Sequence, residues 1–317
     1  MMKILRFNAR LPQPRISQSL TDPLGSASRL NKMDKTITKK YKQIKREVLA
    51  LFDTIPVSQV NVESSGNYYY DFSSARAAGF MDELQRLLDE ILLEGDDFGQ
   101  GQMWANLNHI GPAYEAGTQK ANSELSSLSP VYAEQRPMAS ILYSEPYLSR
   151  LQLAYTAGYS DWRGLSDYSR QQLASVIMEG IARGANPRDV ETDIVNRVDV
   201  SHSRARQIAQ TEITGTLRSA NRKEVIEARE TLGIETTMLW MSALMKTTRS
   251  WHASRHGRFY TPEEIEDFYS QDGNRYNCHC AQTPALLMDG KPVILESSQE
   301  RMGKQKESWQ ASNKKAT

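Results

Sequence analysis

The sequence predicts a mainly α protein with a small α+β C-terminal module, a helical bundle packed against a short β-sheet or hairpin. Three observations predict it. Apolar residues recur at spacings of three and four from residue 31 to about residue 233, β-formers concentrate at Thr236–Met241, and Asp289-Gly290 interrupts an apolar run as a two-residue hairpin turn does. With 317 residues and a formal net charge of +1, the chain can bury one or two cores and has no polyelectrolyte character. Net charge therefore decides nothing about nucleic acid.

Residues 1–30 carry Pro12, Pro14, Pro23, Gly25 and several serines without a period, and read as an extended arm that orders on a partner. The start lacks an apolar run long enough for a signal segment, and no stretch approaches bilayer length, so the expectation is a soluble protein made in the cytoplasm, with no membrane partner. Residues 31–145 form an N-terminal helical region. Its first helix spans Asn31 to Ile55, with Ile37, Tyr41, Ile44, Val48 and Leu51 on one stripe and Lys35, Lys39, Lys40, Lys42, Lys45 and Arg46 on the other faces. A loop from Val60 to Ser74, including Tyr68, Tyr69 and Tyr70, leads to a second helix from Ala75 to Leu93. The tyrosines suit either a recognition surface or loop packing. A third helical stretch, about Gly101 to Leu125, should break or kink at Gly111-Pro112.

Pro130, Pro137 and Pro146 make residues 126–146 the candidate boundary between two halves. Residues 146–294 then read as one helix ending near Asp161, a second from Tyr168 to Arg183, and a stop at Gly184. Asn186-Pro187 restarts a short helix on Val190, Ile194 and Val198, and a long one follows Val200-Ser201 to Gly233. Trp104, Trp162 and Trp251 read as core or helix-contact residues. Residues 295–317 are almost devoid of apolar side chains and are expected to be disordered.

The chemistry concentrates late in the chain. Cys278 and Cys280 are the only cysteines, one residue apart, a spacing at which a disulfide is strained. Together with His252 and either His256 or His279 they make a set of nitrogen and sulfur donors of the kind zinc prefers, although a buried cysteine also serves as a small apolar residue. His252 and His256 share a face if their segment is helical. Glu212 lies four residues after Ile208, on or beside an apolar stripe. It therefore either pairs with Arg249 or Arg255 and docks its helix on the sheet, or stands at the helix edge in water.

Read together, Ile208, Ala209, Thr211, Glu212 and Asn221 on one helix, Trp240 on a strand, Arg249, His252, Gly257 and the closing Asn277-Cys278-His279-Cys280 resemble the phage Mu F-like minor head proteins. The resemblance covers roughly residues 165–284, within a head morphogenesis domain at 146–294. Three positions depart from the family pattern: Met245 and Thr247 stand where Asp and Arg are usual, and His279 replaces an Arg in the closing motif. The resemblance implies a virion protein at the portal vertex of the head, present in several copies around the portal protein. It further implies contacts to other head or neck proteins and a part in head assembly, DNA packaging or DNA ejection without catalysis. Structural zinc, read from the donor set itself, is the one cofactor in view.

Two other functions fit parts of the sequence. A virion metal-dependent hydrolase, a nuclease or peptidase, would use Glu212 as base and His252 and His256 as ligands, yet the chain has no HExxH run, paired-carboxylate cluster, phosphate loop or nucleophile elbow. A DNA-binding internal capsid protein without portal contact would use the basic residues from Lys35 to Arg46 on packaged double-stranded DNA.

Overall fold

A computed structural model describes residues 11–62 and 65–314, and it is mainly helical with small antiparallel sheets. The first ten residues of the expected arm, two residues of the expected Val60–Ser74 loop and the last three of the expected tail lie outside the described residues. Residues 11–26 are extended, but they order on their own chain rather than awaiting a partner: the Leu244 amide donates to the Leu20 carbonyl at 2.7 Å and the Leu295 amide to Gln13 Oε1 at 2.7 Å. Helix α1 follows (Ala27–Phe52), its first amides capped by the Asp22 carboxylate at 2.9 and 3.0 Å.

The expected loop is instead a hairpin. Strands β1 (Val57–Val62) and β2 (Ser65–Tyr70) pair antiparallel, with Val57 opposite Tyr70. The β-branched and aromatic content of this segment, masked by its Ser, Gly and Asn, favours a pleated strand over a loop. Helix α2 (Ser74–Leu92) starts on the Ser73 side chain. The expected break at Gly111-Pro112 takes a subtler form, a π turn over Asn106–Ile110 that runs directly into α3 (Gly111–Leu128). Short helices α4 (Pro130–Gln135) and α5 (Met138–Leu142) occupy the proline-rich stretch.

Two expected pairs of helices are each one long helix. Helix α6 (Glu145–Ala182) passes through Asp161, and α7 (Pro187–Leu232) passes through Ser201. Ser201 does not break α7 because its hydroxyl is buried and bonded, to Tyr41 at 2.7 Å and Ser169 at 2.5 Å. The stops were legible: Gly184 and Gly233 adopt φ of 60° and 63°, and Pro187 opens α7.

The rest of the chain builds strand β3 (Thr236–Met241), helix α8 (Ser250–Ala253), strand β4 (Phe259–Tyr260), helix α9 (Pro262–Ser270), strands β5 (Ala281–Met288) and β6 (Lys291–Pro292), and helix α10 (Glu296–Lys314). The sheet order is β4-β3-β5-β6, all antiparallel, with Trp240 opposite Gln282. Asp289 and Gly290, both at positive φ, make the β5–β6 turn. Helix α10 overturns the expected disordered tail. Met302 is fully buried, Trp309 Nε1 donates to the Met245 carbonyl at 2.7 Å, and Gln299 Nε2 reaches the Gly257 carbonyl at 3.3 Å. One methionine, one tryptophan and well-placed amides dock this helix, which an apolar count does not register.

The described chain groups into two compact units, each drawn from separated segments, not the linear halves expected at residues 126–146. The helix-hairpin unit takes Ser28–Pro112 and Ser149–Ile213. Its core holds Ile37, Val48, Leu84, Leu88 and Trp162, with Trp104 packed edge-on against Trp162. The sheet unit takes the described residues up to Ala27, then Ala113–Leu148, and everything from Thr214 onward. Its core joins Tyr132, Val225, Ala228, Met238, Trp240, Phe268, Tyr269 and both cysteines. Here α3 and α7 meet at Gly117, where an added Cβ would stand 2.5 Å from the Leu217 carbonyl oxygen.

Candidate functional site

Three of the five expected metal donors converge in the sheet unit. His252 projects from α8, while Cys278 and Cys280 stand on the irregular segment that leads into β5; their ligand atoms lie within 4.8 Å of one another. His252 Nδ1 is 3.5 Å from Cys278 Sγ and 3.8 Å from Cys280 Sγ, and all three side chains are buried. His256 is not a member. Helix α8 ends at Ala253, so the i, i+4 register is lost. The His256 Nδ1 instead accepts from the Ser242 amide at 3.0 Å, and its Nε2 faces Gln305 Oε1 at 3.2 Å. His279 sits between the cysteines in sequence and stays outside the trio.

The orientation of His252 is set from behind. Asn274 Oδ1 accepts from Trp251 Nε1 at 2.8 Å while Asn274 Nδ2 donates to the Phe268 carbonyl at 3.0 Å, which fixes that amide's direction. The oxygen then lies 3.3 Å from His252 Nε2, with Arg249 Nη1 3.4 Å from the same nitrogen. An Nε2 proton bonded to Asn274 leaves the Nδ1 lone pair facing the sulfurs.

Arg218, buried on α7, is the cation of this site. Its Nη1 donates to the Cys278 carbonyl at 2.7 Å, and its guanidinium lies 4.5 Å from the Tyr269 ring centre. Tyr269 OH is 3.6 Å from Cys278 Sγ and accepts from Gln282 Nε2 at 3.1 Å. The hydrogen bond from Cys280 holds the Cys278 thiol well below the usual range, against its burial and with Arg218 and His252 assisting; Cys280 is pushed up by the same bond and by burial. Sequence reasoning missed Arg218, Tyr269 and Asn274. An arginine inside a helix and a Gly-Asn turn carry no periodic signal that separates them from surface residues.

The family-motif residues are spent on packing. Trp240 is fully buried, stacked on Tyr269 and edge-on to Phe268, and the Arg255 guanidinium lies 3.9 Å from the Phe268 ring centre. Arg249 donates to the Tyr276 carbonyl at 2.9 Å. Asn221 Nδ2 donates to the buried Glu124 at 3.1 Å. Gly257, at φ 76°, lets Met302 of α10 approach, since an added Cβ would be 3.2 Å from the Met302 Cβ. Ile208 and Thr211 are half-buried and Ala209 is buried.

Glu212 does not dock α7 on the sheet through Arg249 or Arg255. It is buried in the helix-hairpin unit, where Trp162 Nε1 donates to its Oε2 at 3.0 Å. Both arginines are used in the sheet unit, Arg249 on carbonyls and Arg255 on aromatic rings. Burial, with Asp161 nearby, pushes the Glu212 carboxyl well above its ordinary range despite the Trp162 bond.

The basic residues of α1 divide. Lys35, Lys39, Lys42 and Arg46 are exposed, and with Lys32 they recur at steps of three and four along one face. Lys45 is half-buried. Lys40 is buried, ion-paired to Glu94, bonded to the Ile91 carbonyl at 2.7 Å and 4.9 Å from the Trp104 ring centre, so it is a packing residue and not a surface charge. Of the tyrosines, Tyr68 and Tyr70 anchor the hairpin through Asn186 Nδ2 (3.3 Å) and the Ala185 carbonyl (2.8 Å), leaving Tyr69 exposed. Trp104 and Trp162 are core residues, but Trp251 is half exposed because only its indole N–H is engaged.

Two clefts, of about 440 and 620 Å³, are lined by Leu20 with α10 residues and by acidic residues of the α2 end, and include none of the motif residues. Among the described residues no helix is long and apolar enough to cross a membrane.

Comparison with known proteins bears on this arrangement directly. Residues 171–283 match the family model described as phage Mu protein F like protein. That span contains the Glu212 turn of α7, Trp240, His252 and both cysteines. An uncharacterized protein of Haemophilus influenzae is 21% identical over 174 residues, which is 52% of this chain and 37% of that protein, so the match spans little more than a third of the relative's length. No solved structure matches.

Proposed function

We propose, from the phage Mu F-like segment at residues 171–283, that this chain is a minor head protein of a tailed bacteriophage that associates with the portal protein in several copies. It acts in head morphogenesis, DNA packaging or DNA delivery as an assembly component of the virion, not as a catalyst. The observation that carries this reading is the use made of the motif. Glu212, Asn221, Trp240 and His252 are all buried and bonded or stacked inside the protein. Side chains spent on internal packing specify a shape for docking. The hydrolase alternative also loses its residue set, because both His256 nitrogens are engaged elsewhere and Glu212 bonds to Trp162.

Copies arranged around a ring would make individually weak contacts cooperative through effective concentration. The test is co-expression with the portal protein encoded by the same phage genome, followed by affinity capture on the portal and size-exclusion chromatography. Co-elution in a fixed ratio is expected. An assembled portal ring that captures none of the folded chain, at low or physiological salt, contradicts the proposal.

A DNA-contact role is favoured by one specific observation, the exposed cationic face of α1. Lys32, Lys35, Lys39, Lys42 and Arg46 occupy about 21 Å of one helix face, Arg46 being bridged to Glu47 at 3.0 Å. A straight row of this length suits a phosphate backbone and carries no base readout. It is compatible with a head protein beside packaged DNA, whether or not it touches the portal.

A further inference from the structure

We infer that His252, Cys278 and Cys280 form a binding site for a thiophilic divalent cation of the zinc type, which fastens α8 to the start of β5. The reasoning rests on edge lengths. Zinc–sulfur bonds of about 2.3 Å and zinc–nitrogen bonds of about 2.0–2.1 Å, held at the tetrahedral angle, place a sulfur about 3.6 Å from the ligating nitrogen. The His252 Nδ1 stands 3.5 Å from one cysteine sulfur and 3.8 Å from the other, so both nitrogen–sulfur edges are close to those of such a tetrahedron, and all three ligand atoms lie within 4.8 Å of one another.

The surroundings meet the remaining requirements. Asn274 Oδ1, 3.3 Å from His252 Nε2, holds the ring so that Nδ1 faces the sulfurs, the usual outer-shell arrangement for a ligating histidine. Arg218 opposes an incoming cation by its charge, but its hydrogen bond goes to the Cys278 carbonyl and occupies no sulfur, while two thiolates offset a divalent ion. The donor set, two sulfurs and one imidazole, is soft and excludes magnesium or calcium. Burial of all three side chains makes the ion a structural one, taken up as the sheet unit folds, with a fourth corner left to water or another donor.

The position of the ion has a structural purpose. The segment between α8 and β5 is long and carries positive-φ residues at Asp272 and Asn277, and the sheet itself has only two-residue edge strands. A metal clip across that loop would supply the stability that such short strands cannot.

The test uses the full chain, expressed with zinc in the medium and purified without chelator. Elemental analysis should give about one zinc per chain. Replacement by cobalt should give thiolate-to-cobalt charge-transfer absorption that disappears in Cys278→Ser and Cys280→Ser. Because those variants can unfold, His256→Ala and His279→Ala provide the control: both should keep the metal, whereas His252→Ala should lose it. Wild-type protein that melts cooperatively, holds less than about a tenth of an equivalent and takes up neither zinc nor cobalt on refolding overturns the site. So does loss of the ion in His279→Ala with its retention in His252→Ala.

Discussion

Trp162 donates its indole N–H to Glu212 Oε2 at 3.0 Å, joining α6 to α7 inside the helix-hairpin unit. The other carboxyl oxygen, Oε1, has no hydrogen-bond partner, and neither has Asn106 Oδ1, and both oxygens border Gly158. An unbonded buried carboxyl oxygen is reconciled if Glu212 carries a proton, which its burial favours.

The consequence is a pH dependence of defined sign. The folded carboxyl titrates above the unfolded value of 4.5, so the folded state holds a proton that the unfolded state releases. Its stability contribution is complete below the unfolded value and is lost as pH rises through the folded one. Urea midpoints should therefore fall as pH rises above the unfolded value, and Glu212→Gln, which keeps the shape and stays neutral, should flatten that fall. Trp162→Phe, which orphans the carboxyl, should cost about 1–3 kcal/mol. An unchanged pH profile in Glu212→Gln would show that the carboxyl is ionised.

A second buried carboxylate behaves differently. Glu224 on α7 receives Arg136 Nε at 2.9 Å and Nη2 at 3.1 Å, plus the Tyr132 hydroxyl at 2.7 Å, with its side chain only 2% exposed. Arg136→Ala leaves that charge without its cation and should destabilise the sheet unit by about 3 kcal/mol, with Lys restoring part because it cannot make the paired bonds. A urea midpoint unchanged in Arg136→Ala would mean that the pair contributes nothing to the stability of the sheet unit.

Two glycines separate close packing from mere flexibility. At Gly117 an added methyl meets the Leu217 carbonyl oxygen at 2.5 Å and the Ala220 Cβ at 2.8 Å, so Gly117→Ala should cost about 1–3 kcal/mol. Gly164, inside α6, has nothing within 4 Å, and Gly164→Ala should stabilise by about 0.5–1 kcal/mol. Equal effects in thermal melts would refute the close crossing of α3 and α7.

Much of this architecture was legible because it is punctuated. Gly184, Pro187 and Gly233 mark ends by backbone geometry alone, and Thr236–Met241 and the Asp289-Gly290 turn lie where β-formers and turn residues placed them. What escaped were places where polar groups do interior work. Ser201, which reads as a helix break, instead bonds to Ser169 inside the helix-hairpin unit, and Gln299 and Gln305 dock α10 where apolar periodicity is absent. The donor types at residues 252, 278 and 280 were visible, but excluding His256 required knowing that α8 is one turn long.

The cationic face of α1 predicts a salt signature. If Lys35, Lys39, Lys42 and Arg46 meet phosphates, affinity for duplex DNA should fall steeply with salt, and each charge removed should lower the log–log slope by about 0.9. Changing Lys40 instead should destabilise the protein without altering that slope, since its ammonium is buried against Glu94 and Trp104. A slope indifferent to the four exposed residues would assign their charge to solvation.

The portal-vertex assignment is tested most directly by imaging intact virions, with an asymmetric cryo-electron reconstruction around the portal and this chain identified by a fused tag. The account predicts tag density in several copies at that one vertex, with the sheet unit and α7 resolvable against portal subunits. Tag density spread over the capsid lattice, or virions that contain none of the chain, would contradict it.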